Sequence, residues 1–358
     1  MTDKIQVTNL SAQGAIIHMN AKTSMQDIAD RLGISKNAVS LALNHKPGVS
    51  EELRMRVFEA AQALHYPAEA KPKKKMSHLL VLVPESIQND KSCYYQVFWS
   101  IEQRAKDLGY TTIISGVTKE MEQRLALPDL YYEIAFGGML IVGAFHPDYI
   151  RKLSAAGLPL VTVDHSYDGL QLDAVVTANA EEAYKMTSHL IRLGHRRLGF
   201  IGASPMTKSI RDRWYGFNNA LADAGLAADE AHCHPGSASR AYEMTDAARE
   251  ELASYVNALK PDDLPTAWFC ANDRLAIALI QLLSAKGIRV PEDVSVAGFD
   301  DIESAQLIMP RLTTIRVQRE QLGREAVDVL IRKLEHGGSP AKLAVFGELI
   351  ERDSCRRI

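Results

Sequence analysis

Cysteine is scarce and scattered. The 358 residues hold four (Cys93, Cys233, Cys270, Cys355), without the paired spacing of a zinc site or a dithiol redox centre. They read as reduced thiols in a cytoplasm. Long apolar runs are missing too: none reaches the roughly 18 residues that a membrane-spanning helix needs. The first twenty residues, MTDKIQVTNLSAQGAIIHMN, lack the basic start and apolar core of a secretory signal. These absences exclude a disulfide-stapled secreted domain and a helical membrane protein. The composition, 46% hydrophobic and 24% charged, is that of a soluble globular protein. The length calls for two or three domains.

A large net charge is also absent, but the value of −3 hides an asymmetry. Residues 1–75 hold 11 Lys and Arg against 7 Asp and Glu, a net of +4. The remainder holds 30 against 37, a net of −7. A basic first segment on an acidic body fits a polyanionic partner for that segment, and fits equally a solvated basic face.

Residues 23–67 read as three short capped helices. Ser24 and Asp27 form an S-x-x-D start, followed by a stripe of Met25, Ile28, Ala29 and Leu32. Gly33 ends that helix. Ser35 caps the second, whose Ala38, Val39, Ala42 and Leu43 face inward. Asn44, Pro47 and Gly48 break it. Ser50 caps the third. Two short helices joined by a tight glycine turn form a DNA-reading motif when the second can enter the major groove. The expected outward positions on that helix are Lys36, Asn37, Ser40, Leu41 and Asn44. Lysine can donate to guanine, and asparagine can pair with adenine through two hydrogen bonds. Ser24, Ser35 and Asn44 have the short polar side chains that hold phosphates. A three-helix bundle used for protein contacts is the competing reading.

From residue 79 onward strands and helices alternate. LLVLV, TTIIS, GMLIV and LPLVTV form one series of strand-length apolar runs. RRLGFIG, TAWFCAND and DVSVAGFDD form a second. Repeated β-α units give a parallel sheet covered on both faces, and two series give two lobes. A ligand is expected at the carboxyl ends of the strands, in the cleft.

DIADRLGISKNAVSLALN with GVSEELRMRVFEAAQALHYP resembles the DNA-binding headpiece of the lactose/galactose repressor family. The resemblance continues through HLIRLGHRRLGFIG, RDRWYGFNNAL, PRLTTIRVQREQLGREAVDVLIRKL and, most closely, CANDRLAIALIQLLSAKGIRVPEDVSVAGFDD. It implies a helical headpiece followed by a two-lobed α/β body of the periplasmic-binding-protein type. By it, Lys36, Asn37 and Leu41 occupy base-reading positions, and Leu41 replaces a residue that is usually polar. Arg213, Asn272, Asp300 and Asp164 match effector-contacting positions. Tyr94, Tyr95, Trp214 and Trp268 are considered as stacking or rim groups, although Trp268, inside a strand, reads rather as core. At TAN (177–179) an acid of the family pattern is replaced by Ala178, and Asn179 is expected to cap a helix.

The resemblance weakens at the linker, YPAEAKPKKKMSH (66–78). The family's Asn after Tyr-x-Pro is missing, Pro72 interrupts any regular helix, and only Met76 could act as an apolar wedge. The reading is an extended basic tether whose Lys73 and Lys74 touch phosphates, with a passive spacer as the alternative.

Enzyme signals do not assemble. HCH at 232–234 cannot present three ligands to one metal from a strand and is expected in a surface loop. Cys270 reads as a core residue. No nucleophile, base and orienting group come together.

The expectation is therefore a cytoplasmic bacterial transcription regulator, a repressor of carbohydrate-utilisation genes that carries no cofactor. Its partners would be a sugar effector, a second copy of itself and a pseudo-palindromic DNA site. A non-catalytic sugar-binding protein is the alternative. The expected parts are 1–22 (a disordered extension, or a segment ahead of a true start at Met19), a headpiece at 23–67, a linker at 68–78 and a body at 79–358. Within the body, one lobe takes 79–176 and about 312–338. The other takes 177–311 and about 339–358. No heptad tail follows the last strand, so a dimer is expected and not a tetramer.

Overall fold

The computed structural model describes residues 24–43, 48–64, 66, 78–88, 94–202, 207–228, 230–234, 246–260 and 263–358. The chain divides into two units, Met1–Lys75 and Met76–Ile358. Residues 1–22, Asn44, and the linker with Lys73, Lys74, Pro72 and Met76 lie outside the described residues.

In the first unit α1 (Met25–Leu32), α2 (Lys36–Leu43) and α3 (Glu51–Ala63) pack around Ile28, Ala29, Val39, Ala42 and Val57. The caps are the expected ones. Ser24 and Asp27 form a reciprocal capping box, Ser35 Oγ accepts from Ala38 N at 3.1 Å, and Ser50 Oγ accepts from Leu53 N at 3.2 Å. Gly33 ends α1 at φ 65°, a left-handed conformation that a side chain would strain.

The second unit begins with β1 (His78–Pro84), α4 (Glu85–Gln88), α5 (Tyr95–Asp107), β2 (Thr111–Val117), α6 (Lys119–Gln123) and α7 (Leu130–Glu133). It continues through β3 (Gly138–Val142), α8 (Pro147–Ser154), β4 (Leu160–Val163) and β5 (Asp173–Thr177). Then come α9 (Asn179–Arg192), β6 (Leu198–Ile201), α10 (Lys208–Asp223), β7 (Cys233–His234), α11 (Asp246–Ala258), β8 (Ala267–Cys270), α12 (Asp273–Ala285) and β9 (Ser295–Ala297). The last stretch holds α13 (Glu303–Leu307), β10 (Thr314–Arg316), α14 (Arg319–His336), β11 (Lys342–Val345) and β12 (Glu348–Ile350). The first sheet has the order β11-β5-β4-β3-β1-β2 and is parallel throughout. The second, also parallel, has the order β7-β6-β8-β9. β1, β3, β4 and β6 are apolar and almost wholly buried along their length, as strands covered on both faces must be.

The chain passes between the lobes three times: from β5 to α9, from β10 to α14, and from β11 to β12. The lobe boundaries therefore differ from those read in the sequence. Residues 342–345 do not belong to the second lobe. They form β11, paired with β5 from Lys342↔Ala174 to Val345↔Thr177, because a parallel edge at β5 offers their backbone a hydrogen-bonding partner. The run LAVFGELI is thus two strands in different sheets. β10 pairs with β12, and bridges join Ala297 to Thr313 and Asp300 to Arg316. Residues 312–316 accordingly continue the second lobe, and the share of the first begins with α14.

HCH is also placed differently from its expected surface loop. Cys233 and His234 form β7, paired with β6, while buried His232 meets the carbonyl of Asp263. Trp268 and Cys270 are core residues of β8, and Trp268 Nε1 donates to His232 O at 3.3 Å.

Candidate functional site

On the headpiece, Lys36 and Asn37 are exposed at the first turn of α2, and Ser24 and Ser35 are exposed at the helix starts. Ser40 and Leu41 are half-buried, where the sequence reading had them outward. The Leu41 side chain folds over Gly48: its Cδ1 is 3.4 Å from where a Cβ on that glycine would stand. Of the positions expected to read bases, those exposed are thus at the N-terminal end of α2, the end that meets base edges in this motif.

In the body, a pocket lies between the lobes and gathers Tyr94, Asp164, Arg213, Asn272 and Asp300. Five residues spread over more than 200 positions meet because the strand ends of both lobes face each other. Arg213 on α10 is buried and donates through Nε to Asn179 Oδ1 (2.8 Å) and through Nη1 to Ala271 O (2.6 Å). Its Nη2 is 3.4 Å from Asp300 Oδ1, and its Cζ lies 3.6 Å above the Phe299 ring. Asp164 ends β4 at φ 61°, and Asp300 follows β9 at φ 113°. Such conformations in residues other than glycine often mark binding sites. Tyr94 donates to Asp164 Oδ2 at 3.0 Å. Burial pushes the Asp164 carboxyl above its ordinary range, while the Arg213 charge and the Tyr94 hydroxyl pull it back. Asn272 caps α12, its Oδ1 accepting from Leu275 N at 2.9 Å.

Two expected roles change. Trp214 does not join the pocket. Its ring stacks on Phe217 and meets Phe200 edge-on, within the core of the second lobe. One residue on from Arg213, a helical side chain points about 100° away. Asn179 is not a cap: α9 begins at it, and its side chain orients Arg213. Sequence reasoning missed Arg274, Arg319, Ser209 and Val317 in the pocket wall. Arg319, the first residue of α14 at a crossing between lobes, carried the only readable signal: an arginine where a strand series ends.

Behind the pocket, Asp273 is fully buried; its carboxylate accepts from Ile302 N (2.9 Å) and Thr314 Oγ1 (2.6 Å). Asp301 accepts from Arg316 Nε (2.8 Å) and Arg352 Nη2 (2.6 Å). The loop carrying Asp300 is thus tied to the strands of the crossings. Across the cleft, Asp168 of the first lobe pairs with Lys208 (3.2 Å) and Arg211 on α10. His165 lies beside this clasp. Burial and the Lys208 charge depress its pKa to about 4, and its Nδ1 has no hydrogen-bond partner.

A capped helix-turn-helix and a two-lobed α/β body with a polar cleft define a ligand-responsive DNA-binding regulator. The comparisons agree. Residues 24–68 match the family model described as bacterial regulatory proteins, lacI family, and residues 187–355 match that of the periplasmic binding protein-like domain. The HTH-type transcriptional repressor PurR of Mannheimia succiniciproducens is 26% identical over 339 residues, covering 94% of this chain and 99% of that protein. PurR of Haemophilus influenzae is 26% identical over 342 residues, with the same coverage. Among solved structures, a transcriptional regulator CelR–cellobiose complex aligns with a TM-score of 0.68 at 24% identity, covering 93% of this chain and 99% of that one. The lac repressor dimer bound to operator and the anti-inducer ONPF gives 0.66 at 21%, with the same coverage. Residues 24–68 thus carry a lacI-type DNA-binding region, and residues 187–355 a periplasmic-binding-protein-like domain. Together they make a ligand-responsive DNA-binding transcriptional repressor.

Proposed function

We propose that the effector is a neutral polyol, a sugar or sugar derivative, held between the lobes by Asp164, Arg213, Asn272, Asp300 and Tyr94, and that the protein acts in the cytoplasm on genes of carbohydrate use. The observation that carries this reading is the convergence of two carboxylates, a guanidinium and an amide on one pocket. Each can meet two neighbouring hydroxyls at once, which suits vicinal diols. The pocket offers only about 60 Å³, far below the roughly 300–1,000 Å³ of ligand pockets. Arg213 with Asp300, and Tyr94 with Asp164, already satisfy one another across it. A sugar would open the cleft and take over these partners. The work of opening couples the effector to DNA affinity, through a free energy that both ligands share.

On DNA, Lys36 and Asn37 read base edges, Ser40 and Leu41 support them, and Ser24 and Ser35 hold phosphates. Asn44, Lys73 and Lys74, outside the described residues, complete the proposed contacts. The test is selection of bound fragments from genomic DNA, followed by binding to the recovered site with and without a panel of sugars and nucleobases. A pseudo-palindrome whose affinity shifts with a sugar supports the reading. A response confined to nucleobases, or to no sugar, overturns the polyol assignment.

A further inference from the structure

Asp168 reaches from the first lobe to the second. Its Oδ1 is 3.2 Å from Lys208 Nζ, and its Oδ2 meets Arg211 Nη2. The other ion pairs described above, Arg213 with Asp300 and Asp301 with Arg316 and Arg352, each lie within the second lobe.

The two sides of this clasp are built differently. On the first lobe, Asp168 sits on a braced loop between β4 and β5. Tyr167 packs on the apolar cluster of Phe145 and Tyr149, its hydroxyl accepts from Phe145 N at 2.8 Å, and Gly169 turns the chain at φ 78°. On the second lobe, Lys208 and Arg211 stand at the start of α10. The positive end of a helix dipole disfavours cations, the first turn of α10 holds no acid, and Thr207 makes no side-chain cap. Asp168 supplies from the other lobe the negative charge that this helix end lacks. Lys208 has a second partner on its own helix, Asp212 Oδ1 at 3.1 Å. Parting the lobes therefore leaves Lys208 paired and returns Asp168, whose side chain is 65% exposed, to water. Behind the clasp, a mostly polar cavity of about 10 Å³, with Ser166 of one lobe and Ser209 of the other in its wall, takes the place of apolar packing. Charge, not burial, holds this edge of the cleft shut.

We propose that Asp168, Lys208 and Arg211 form an ionic latch that holds the lobes together in the effector-free protein, and that ionic strength alone shifts the lobes toward an open arrangement. Exposed charges are screened over about 10 Å at 0.1 M salt, and two such pairs shift an equilibrium by about three- to tenfold. That is enough to tune a two-state body and too little to fix it. The latch is independent of the identity of the effector.

The test uses the full-length protein without effector or DNA. Spin-labelled non-natural residues replace Gln123 and Ser304, exposed positions beyond the carboxyl ends of β2 and β9 on opposite lobes. Labelled chains are diluted into unlabelled protein, so that pulsed electron resonance reads distances within one chain. Between about 50 mM and about 500 mM sodium chloride, the ratio of open to closed chains is expected to rise about three- to tenfold. Asp168→Ala should show the raised ratio already at low salt, with no further rise. Asp168→Arg should raise it more, and adding Arg211→Asp should bring it back, which the loss of a merely structural contact would not allow. A distance distribution of the unsubstituted protein that salt leaves unchanged, a salt response that survives Asp168→Ala, or no recovery in the charge-swapped pair overturns the latch.

Discussion

Arg213 meets four groups at once: Asn179, Ala271 O, Asp300 and the face of Phe299. Removing it strands two acids beside a cavity, and breaking a buried pair costs about 3–5 kcal/mol. Arg213→Ala is expected to lower the thermal midpoint by several degrees and abolish the effector response, read by calorimetry against retained operator binding. His165 gives a pH dependence of known sign. Its folded pKa, about 4, lies below the ordinary value of 6.5. Between these values the unfolded chain binds a proton that the folded chain does not, so stability falls as pH drops through that window. The full effect is on the order of 3 kcal/mol. Denaturation midpoints measured from pH 7 to pH 4 should show this loss, and His165→Gln should flatten it. At this scale the sequence was legible where residue type and position coincide with the family pattern, as for Asp164, Arg213, Asn272 and Asp300. It was opaque for Asn179, whose role depends on a guanidinium 34 positions away, and for Trp214, whose direction is set by helix phase.

Helix α2 presents Lys36 and Asn37 in its first turn, while Ser40 and Leu41 are half-buried. Asn37→Ala is expected to weaken operator binding by about 1–3 kcal/mol at one base position, measured by anisotropy on single-base operator variants. Effector affinity should not change. In the body, α9 and α10 cross where Gly216 meets Ala180: a Cβ there would stand 2.0 Å from the Ala180 carbonyl. Gly216→Ala should force these helices apart and cost about 1–3 kcal/mol, visible as a lower denaturation midpoint. The headpiece elements were readable because caps and glycine turns are local chemistry. LAVFGELI shows the limit: it divides into two strands whose different sheets, β11 with β5 and β12 with β10, are partners far away in sequence.

For the whole molecule, the proposed binding to DNA combines the headpiece with the basic segment at 71–75. If Lys73 and Lys74 each neutralise one phosphate, replacing both by alanine should reduce the slope of log affinity against log salt by about 1.8 for each chain bound, about 3.6 for a dimer, at about 0.9 per contact. An unchanged slope would make the segment a passive spacer. The two-lobed plan was legible from two series of β-α units. The crossings were not, because nothing in the local sequence says which sheet edge a late strand will find. The placement of β11 has a consequence for how the protein is made. β5 is buried along its length, and its outer edge is closed only by Lys342–Val345. During synthesis, at about 5–20 residues per second, that edge stays unpaired while residues 178–341 are made. Unpaired edges recruit strands from other chains. A message cut short before codon 342 would therefore yield a sticky chain, not merely a shorter repressor, and the first lobe becomes safe from its neighbours only once β11 has been made.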